Sequence, residues 1–147
     1  MTAATYRTRV IPDWIDYNGH LSEAYYVLIF GFATDTVMER IGLGAEEREE
    51  TGSSLYTVEA HVRYLQEVPL GAKVLVESRI ISAGAKKLHL AHEMFVEDDV
   101  VATEEILALH VAGDPAASAP FPEEIAARIT EWTDPGPAPD WVGRRIG

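Results

Sequence analysis

The stretch YRTRVIPDWIDYNGHLSEAYYVLIFGFATDTVMERI, residues 6–41, decides the fold of this chain. Its first part, Tyr6–Pro12, predicts a short strand, which ends at the proline because that nitrogen cannot donate to a ladder of hydrogen bonds. A turn follows at residues 16–20, where asparagine and glycine adopt positive φ readily. Ser22 then suits the N-cap of a long helix that continues to Ile41. Apolar residues crowd nearly every face of this helix, and we therefore expect it to be buried.

The pattern changes from helical to alternating after a charged, glycine-punctuated loop at residues 42–52. Residues 56–64 predict a strand with two distinct faces. One face carries Tyr56, Val58, Ala60, Val62 and Tyr64, and the other carries Thr57, Glu59, His61 and Arg63. Three further strand patterns follow at Lys73–Ile81, Lys86–Val96 and Val100–Val111. Because the links between these three are short enough for hairpins, we expect an antiparallel sheet.

The composition changes at Gly113 to a segment rich in alanine, proline and glycine. Within it, Pro122–Trp132 predicts one short helix with a proline near its first turn, and residues 133–147 read as a partly irregular tail. The predicted order is therefore a strand, a long helix, four strands and a tail. One long helix packed on one curled antiparallel sheet of about five strands is the economical two-layer solution, which is an α+β fold.

The overall composition is that of one compact domain, with 147 residues of which 47% are hydrophobic and 24% are charged. A net charge of −12 argues against nucleic acid as a partner, because binding phosphates requires a basic face. Short acidic clusters such as Glu104-Glu105 are expected to be solvated. The sequence has no cysteine, no visible signal peptide and no apolar run long enough to cross a membrane, so we expect a cytoplasmic protein without a membrane partner.

Several well-known catalytic motifs are absent, including G-x-S-x-G, H-E-x-x-H and the P-loop. A serine hydrolase or a nucleotide-binding protein therefore has no support. His89 and His92 stand three residues apart, and this spacing points their side chains to opposite faces of a strand. We accordingly expect no metal site, and a structural or solvated role for His110.

The segment Asp16–Ser22 places a carboxylate, an amide, a glycine and an imidazole immediately before the predicted helix. The first N–H groups of a helix point outward with partial positive charge, so they can hold an anion or a carbonyl oxygen that is becoming one. An ionised carboxylate beside them can orient water or attack a carbonyl carbon directly. The alternative is that Asp16 and Asn18 only build an Asx turn.

The stretch VIPDWIDYNGHLSEAYYVLIFGFATDTVMERIGL, residues 10–43, resembles the opening of hotdog-fold acyl-CoA thioesterases of the 4-hydroxybenzoyl-CoA thioesterase-like group. The resemblance covers roughly residues 6–112. The segments PDWIDYNGH, YTVEAH, KLH and GRRIG, which begin at residues 12, 56, 87 and 143, are similar to the subgroup of betainyl-CoA thioesterases of carnitine breakdown. The resemblance implies a hotdog domain over residues 1–112, an extension over 113–147, and hydrolysis of betainyl-CoA to glycine betaine and CoA.

The same resemblance implies an essential carboxylate at Asp16 and a carbonyl-polarising backbone N–H near Glu23. It implies a homodimer or a dimer of dimers with sites at subunit boundaries, and no metal or organic cofactor. Asn18 and His20 are second candidates for the site, although His20 could equally make a structural hydrogen bond. A thiol with a pKa of about 8.5 leaves as thiolate without a strong general acid, so one carboxylate and one oxyanion donor could suffice. Two alternatives stay open: a hotdog hydratase or dehydratase that leaves the thioester intact, and an acyl-CoA-binding module without turnover.

The remaining candidates concern the binding of substrate. Because the faces of aromatic rings attract cations, a quaternary ammonium group could be held by an aromatic box, unless these rings serve ordinary core packing. The candidates for this box are Trp14, Tyr17, Tyr25 and Tyr56. Glu59 and His61 share a strand face and could contact the substrate or a partner subunit, or simply be solvated. The anionic CoA needs local cations, and those available are Arg63, Arg79, Lys86, Lys87, Arg144 and Arg145.

Overall fold

The computed structural model describes residues 1–147, and one long helix, α1, forms its centre. The helices are α1 (Glu23–Ile41), α2 (Ala45–Thr51) and α3 (Glu123–Trp132), with a short 3-10 helix at Pro12–Trp14. The strands are β1 (Ala4–Arg9), β2 (Ser54–Tyr64), β3 (Lys73–Ala83), β4 (Lys87–Val96), β5 (Asp99–Ala112) and β6 (Ala117–Ser118). None of the helices combines the length and the apolar character needed to cross a bilayer.

The five long strands form one antiparallel sheet in the order β1-β3-β4-β5-β2, and the two-residue strand β6 pairs with β5. The sheet curls around α1, and two clusters of buried apolar side chains fill the space between them. This arrangement confirms the predicted hotdog fold. The strands β1 and β2 are the two edges of the sheet, and the crossover through α1 carries the chain from one edge to the other.

Helix α1 begins after Ser22 and ends at Gly42, whose φ of 90° is the left-handed conformation that glycine adopts without strain. Its inner face is fully packed on the sheet, with Ile29, Phe30, Ala33 and Val37 all at 0% exposure. The outer face is different, since Val27 is 43% and Leu28 is 38% exposed. The expectation that the whole helix is buried is therefore wrong, because a single sheet covers only one side of it.

Strand β2 departs from the predicted alternation because a bulge interrupts its pairing with β5. Thr57 pairs with Ala108 and Glu59 pairs with Leu107, which leaves Val58 without a partner in the register. A bulge adds one residue and so reverses the side-chain alternation beyond it. Tyr56 consequently lies on the outer face with Glu59, His61 and Arg63, whereas Ala60, Val62 and Tyr64 face α1. The prediction that Tyr56 shares a face with Tyr64 is wrong for this reason.

The loop predicted at residues 42–52 contains helix α2, which is a second correction. Its sequence, AEEREET, consists largely of good helix formers, and glycines stand on both sides of it. Gly44 is the N-cap and Gly52, with a φ of 68°, is the C-cap. The glycines that suggested a loop are the two ends of a short helix.

The predicted extension, residues 113–147, contains α3 as expected, and α3 packs on the same core as the rest of the chain. Phe121 and Ile129 join the apolar cluster formed by the end of α1, and the Arg40 guanidinium lies 4.6 Å from the centroid of the Trp132 ring. Beyond α3 the chain follows the sheet, where the Asp134 N–H donates to the Ile80 carbonyl at 2.9 Å. The extension is thus structurally continuous with residues 1–112.

The histidines of β4 lie on opposite faces, as their spacing predicts. His92 is fully buried under α1, between Ser78 Oγ at 2.6 Å from Nδ1 and Thr34 Oγ1 at 2.9 Å from Nε2. Burial lowers the pKa of His92 to about 3. His89 lies on the outer face, where its Nε2 is 2.6 Å from Glu105 Oε2. His110 is buried, and its Nδ1 lies 2.8 Å from the Ala119 carbonyl oxygen, which is a structural contact.

Candidate active site

The turn before α1 holds Asp16 in a defined orientation. The Asn18 N–H donates to Asp16 Oδ1 at 2.8 Å, and the Gly19 N–H donates to the Asp16 carbonyl at 3.0 Å. Gly19 has a φ of 81°, a conformation that side chains disfavour. The Asx turn considered from the sequence is therefore present. It uses only one carboxylate oxygen, and Oδ2 has no hydrogen-bond partner in the protein.

The start of α1 offers two unused backbone donors. Ser22 occupies the N-cap, but its hydroxyl makes no capping hydrogen bond, and its carbonyl accepts from the Tyr25 N–H at 2.9 Å. The N–H groups of Glu23 and Ala24 have no acceptor in the protein. Such groups carry the partial positive charge of the helix end, and they are suited to an oxygen that gains negative charge.

Asp16 and the start of α1 line the same cavity, whose volume is about 600 Å³. Its other walls come from the end of β2 and from the residues that follow it. The lining residues are Asp16, Asn18, His20, Leu21, Glu23, Tyr26, Tyr64, Leu65, Gln66 and Glu67. The structure therefore brings together the four residues of the predicted catalytic set, Asp16, Asn18, His20 and Glu23.

Two tyrosines give this cavity an aromatic wall that the sequence reasoning missed. The rings of Tyr26 and Tyr64 meet edge to face, with centroids 5.1 Å apart and planes at 87°. The Tyr26 hydroxyl donates to the Gln66 carbonyl at 2.8 Å, which fixes the ring. Burial, and then the neighbouring Glu67 carboxylate, raises the pKa of Tyr26 above its ordinary value. Tyr26 shares a helical spacing with the buried residues Ile29 and Ala33, so the sequence could have placed it on the inner face of α1. The direction of Tyr64 could not be predicted from the alternating pattern, because the bulge in β2 reverses that pattern.

Carboxylates dominate the charge of the cavity. Asp16, Glu23 and Glu67 all line it, and the one basic side chain is His20, whose Nε2 is 3.3 Å from Glu67 Oε2. Burial, followed by the nearby Glu23 and Glu104 carboxylates, raises the pKa of Tyr64. The cavity therefore presents negative charge and aromatic rings together.

Glu104 is a buried carboxyl group behind this cavity, and its burial corrects the expectation that the Glu104-Glu105 pair is solvated. It is 5% exposed, lies opposite His92 and Val62 in the sheet, and makes no hydrogen bond. Burial raises its pKa to about 7. The sequence of β5 does indicate that Glu104 is buried. Glu104 alternates with the buried residues Ala102 and Ile106, so all three lie on the same face of the strand.

The predicted aromatic box is not assembled in this cavity. Tyr17 is 98% exposed, and Tyr56 lies on the outer face of β2. Trp14 and Tyr25 stack on each other, with centroids 6.1 Å apart, beside the start of α1. None of the four lines the cavity within one subunit.

Glu59 and His61 lie on the outer face of the sheet, away from the cavity that contains Asp16. They line two adjoining clefts there, one with His89 and Glu105 and the other with Arg63 and the last residues of the chain. Among the other predicted cations, Arg79 is paired with Glu93 at 2.9 Å, and the lysines Lys86 and Lys87 are exposed at the β3–β4 hairpin. No three histidine, aspartate or glutamate side chains are arranged to hold a metal ion.

Comparison with known proteins gives consistent matches. Residues 10–129 match the thioesterase-like superfamily. The chain is 41% identical to the betainyl-CoA thioesterase of Pseudomonas aeruginosa, over 97% of this chain and 93% of that protein. It is also 41% identical to the L-carnitine dehydrogenase/betainyl-CoA thioesterase of Ruegeria pomeroyi, over 84% of this chain and 26% of that protein. A Staphylococcus aureus protein solved in complex with CoA superposes with a TM-score of 0.89 at 28% identity, over 97% of this chain and 93% of the other.

Proposed function

The chain belongs to the thioesterase-like superfamily and is an acyl-CoA thioester hydrolase, and we propose that its substrate is betainyl-CoA, which it converts to glycine betaine and CoA. The observation that supports this substrate is the cavity beside Asp16. It combines two tyrosine rings with three carboxylates, and it contains no arginine or lysine. Aromatic faces and negative charge together favour a quaternary ammonium group over a neutral or anionic acyl group.

In the proposed reaction the thioester carbonyl oxygen accepts hydrogen bonds from the free N–H groups of Glu23 and Ala24. These donors stabilise the negative charge that develops on this oxygen in the tetrahedral intermediate. The free Oδ2 of Asp16 either removes a proton from the attacking water or attacks the carbonyl carbon to give a mixed anhydride, which water then splits. Either route breaks the C–S bond, and the sulfur leaves as thiolate.

Asn18 and His20 serve as positioning residues in this proposal. The Asn18 N–H holds Asp16 Oδ1 at 2.8 Å, so the carboxylate keeps one orientation while its other oxygen stays available. His20 lies 3.3 Å from Glu67 and ties the turn to the segment after β2. Both contacts limit the freedom of the turn that carries Asp16.

The experiment that tests hydrolysis is a thiol-release assay with betainyl-CoA and a set of other acyl-CoA esters. Wild-type protein should release free CoA thiol and carboxylate in equal amounts. A hydratase or dehydratase would change the acyl chain and leave the thioester intact, while an acyl-CoA-binding module would bind the ester without release. Either of these outcomes would replace hydrolysis as the function.

We also propose that two copies pair through β2. This strand has 11 residues, contacts only β5 in the sheet, and exposes Tyr56 by 52% and Val58 by 56%. A long edge strand with exposed apolar side chains is a template for pairing with another chain. Pairing about a two-fold axis would remove this edge and place two acyl cavities near one subunit boundary.

Replacing Val58 with glutamate is expected to convert the dimer to a monomer and to lower thiol release by at least about tenfold. Pairing through β2 would bury each new carboxylate in the contact between the two copies, and the burial of an unpaired charge disfavours association. Sedimentation velocity gives the mass, and the thiol assay gives the activity. Ile11→Glu is the matched control, since Ile11 is 42% exposed but lies outside β2. A Val58→Glu protein that stays dimeric would exclude this edge as the interface.

A further inference from the structure

Glu104 on β5 is a buried carboxyl group that no other group of the protein neutralises. It is 5% exposed and forms neither a hydrogen bond nor an ion pair. Its neighbour on β4 is His92, whose two ring nitrogens are already used by Ser78 Oγ and Thr34 Oγ1. Its neighbour on β2 is Val62, which is apolar. An apolar side chain would stabilise this position better, because a buried carboxylate without a partner loses its hydration.

The carboxylate oxygens of Glu104 still reach open space. The side-chain polar atoms that are fully enclosed and lack a hydrogen-bond partner are Thr103 Oγ1 and His110 Nε2. The oxygens of Glu104 also lack a partner, and they are not among these enclosed atoms. The small exposed fraction of Glu104 therefore includes its oxygens, so a charged group of a ligand can approach them.

The inner face of the sheet places Glu104 beside the aromatic wall of the acyl cavity. Tyr64 follows Val62 by two residues on the same face of β2, which makes Tyr64 the diagonal neighbour of Glu104. Diagonal neighbours of an antiparallel pair lie about 7–8 Å apart, within reach of an aromatic side chain. Burial, and then the proximity of the Glu23 and Glu104 carboxylates, raises the pKa of Tyr64. Glu104 thus lies at the inner end of the wall that Tyr26 and Tyr64 form.

The core is open on the side of Glu104 that faces β2. Helix α1 packs toward the β1 edge of the sheet, where the rings of Tyr6 and Phe32 are 5.7 Å apart. The other flank of α1 is turned toward β2 and carries Val27, which is 43% exposed. Since β5 is the neighbour of β2 in the sheet, Glu104 lies beside the opening between α1 and β2. The acyl cavity occupies the end of this opening that is near Asp16.

The other carboxylates of the cavity are less suited to holding a cation. Asp16 is required at the thioester carbonyl, the side chain of Glu67 is 77% exposed, and Glu23 is exposed as well. Water and salt screen an exposed charge, whereas a buried charge acts more strongly at the same distance. Glu104 is therefore the carboxylate whose charge is least screened from a cation held against the tyrosine rings.

We infer that Glu104 sets the specificity of the acyl site for a cation, because its carboxylate is the counter-ion of the quaternary ammonium group. Such an ammonium group has no N–H to donate, so ring faces and an unpaired negative charge suit it better than a directional hydrogen-bond acceptor. This inference rests on the proposed function, since it names the residue that recognises the acyl group. The bound cation would neutralise the charge whose burial destabilises the empty protein.

The test measures kcat/KM for betainyl-CoA and for 3,3-dimethylbutanoyl-CoA, its neutral isostere, in the wild-type protein and in Glu104→Gln. We expect the wild-type preference for betainyl-CoA to fall by about tenfold or more in the variant, because the ammonium group loses its buried partner. Hydrolysis of the neutral ester should stay within about threefold of the wild-type value. This second result also reports that the fold and the turn with Asp16 are intact.

The matched control is Glu105→Gln, which removes the same charge from the next residue of β5. Glu105 points to the outer face, where its carboxylate contacts His89 and the Gly143 N–H, on the far side of the sheet from the acyl cavity. We expect this protein to keep the wild-type ratio of the two esters within about threefold. If the control loses the preference as Glu104→Gln does, the effect comes from the overall charge of the protein, and the inference is wrong.

The pH dependence of the preference gives a second readout. Burial raises the pKa of Glu104 to about 7, so a cation binds better at a pH where the proton has been lost. The wild-type preference for betainyl-CoA should rise by about five- to tenfold from pH 6 to pH 8, and that of Glu104→Gln should not change. Of the groups packed around Glu104, His92 has its pKa lowered by burial to about 3, and Tyr26 and Tyr64 have theirs raised by burial above 10.0. The remaining titratable groups of the cavity are present in both proteins and cancel in the comparison, namely Asp16, His20, Glu23 and Glu67. An equal rise in both proteins would contradict the inference.

The outcomes separate this inference from the proposed function. A wild-type protein that hydrolyses both esters equally, or neither of them, would overturn the proposed substrate. A wild-type protein that prefers betainyl-CoA, with a Glu104→Gln variant that keeps this preference, would overturn the inference alone. An equal loss of activity toward both esters in Glu104→Gln would also overturn the inference, since Glu104 would then support catalysis or the fold and not the recognition of the cation.

Discussion

Replacing Asp16 with asparagine is expected to lower kcat for betainyl-CoA hydrolysis by about 10²–10⁴, the range for losing a positioned general base. The free Oδ2 of this carboxylate lies in the same cavity as the open N–H groups of α1, and no other carboxylate is held by the turn. Asparagine can still accept the hydrogen bond from the Asn18 N–H, so the Asx turn and the fold should persist. The substitution therefore removes the carboxylate that acts as base or nucleophile and leaves the structure of the turn unchanged.

Thiol release and thermal unfolding of the variant are the two measurements needed. Asp13→Asn is a suitable control, because Asp13 is an exposed carboxylate on the neighbouring 3-10 helix and does not line the cavity. The control should keep wild-type turnover. If Asp16→Asn also turned over normally, with unchanged stability, Asp16 would have no part in the mechanism.

The fate of oxygen separates the two routes open to Asp16. In a single turnover in H₂¹⁸O, a general base delivers one ¹⁸O atom from water to the glycine betaine carboxylate. A nucleophilic aspartate gives its own oxygen to the product and keeps the ¹⁸O in its side chain when water splits the mixed anhydride at the aspartyl carbon. The appearance of ¹⁸O in the peptide that contains Asp16, measured by mass spectrometry, therefore identifies the nucleophilic route.

Glu104→Gln is expected to make the protein more stable than wild type, by a margin that grows by about 2–3 kcal/mol between pH 5 and pH 8. Burial raises the pKa of Glu104 from 4.5 to about 7, so the folded chain holds its proton where the unfolded chain has lost it. Between pH 4.5 and about pH 7 the free energy of unfolding of the wild-type protein falls as pH rises. Above the pKa of the folded state, the full cost of burying the charged carboxylate applies. Glutamine carries no charge and avoids this penalty.

Chemical denaturation at pH 5 and pH 8, at one protein concentration, measures this margin. The contribution of His92, whose pKa burial lowers to about 3, is common to both proteins and cancels in the difference. Glu49→Gln removes an exposed carboxylate on α2 and should give nearly the same small margin at both pH values. A margin for Glu104→Gln that does not change with pH would show that its carboxyl group is solvated in the folded protein.

Local sequence signals predict where the helices and strands lie. They do not predict which face of each element is buried. Ser22 and Gly42 delimit α1 in the sequence, and period-two patterns locate the strands to within a few residues. The bulge at Val58 leaves no such signal, because it depends on how β2 pairs with β5. Since the bulge sets the direction of Tyr64, the aromatic wall of the cavity was not predictable from the strand pattern alone.

The catalytic part of the site is more local, which explains why the sequence reveals it. Asp16, Asn18, His20 and Glu23 lie within eight consecutive residues that form one turn and one helix start. Tyr64, Glu67 and Glu104 come from distant segments, and only the curl of the sheet brings them to α1. The arginines of the C-terminal tail meet Arg63 for a similar reason, since the contact of Gly143 with Glu105 joins positions 38 residues apart.

The most direct test of the account compares betainyl-CoA with 3,3-dimethylbutanoyl-CoA, in which carbon replaces the quaternary nitrogen and the shape is unchanged. If the tyrosines and carboxylates beside Asp16 recognise a cation, kcat/KM should be at least about tenfold higher for betainyl-CoA. Equal or faster hydrolysis of the neutral ester would contradict a cation-selective acyl site and, with it, the proposed substrate.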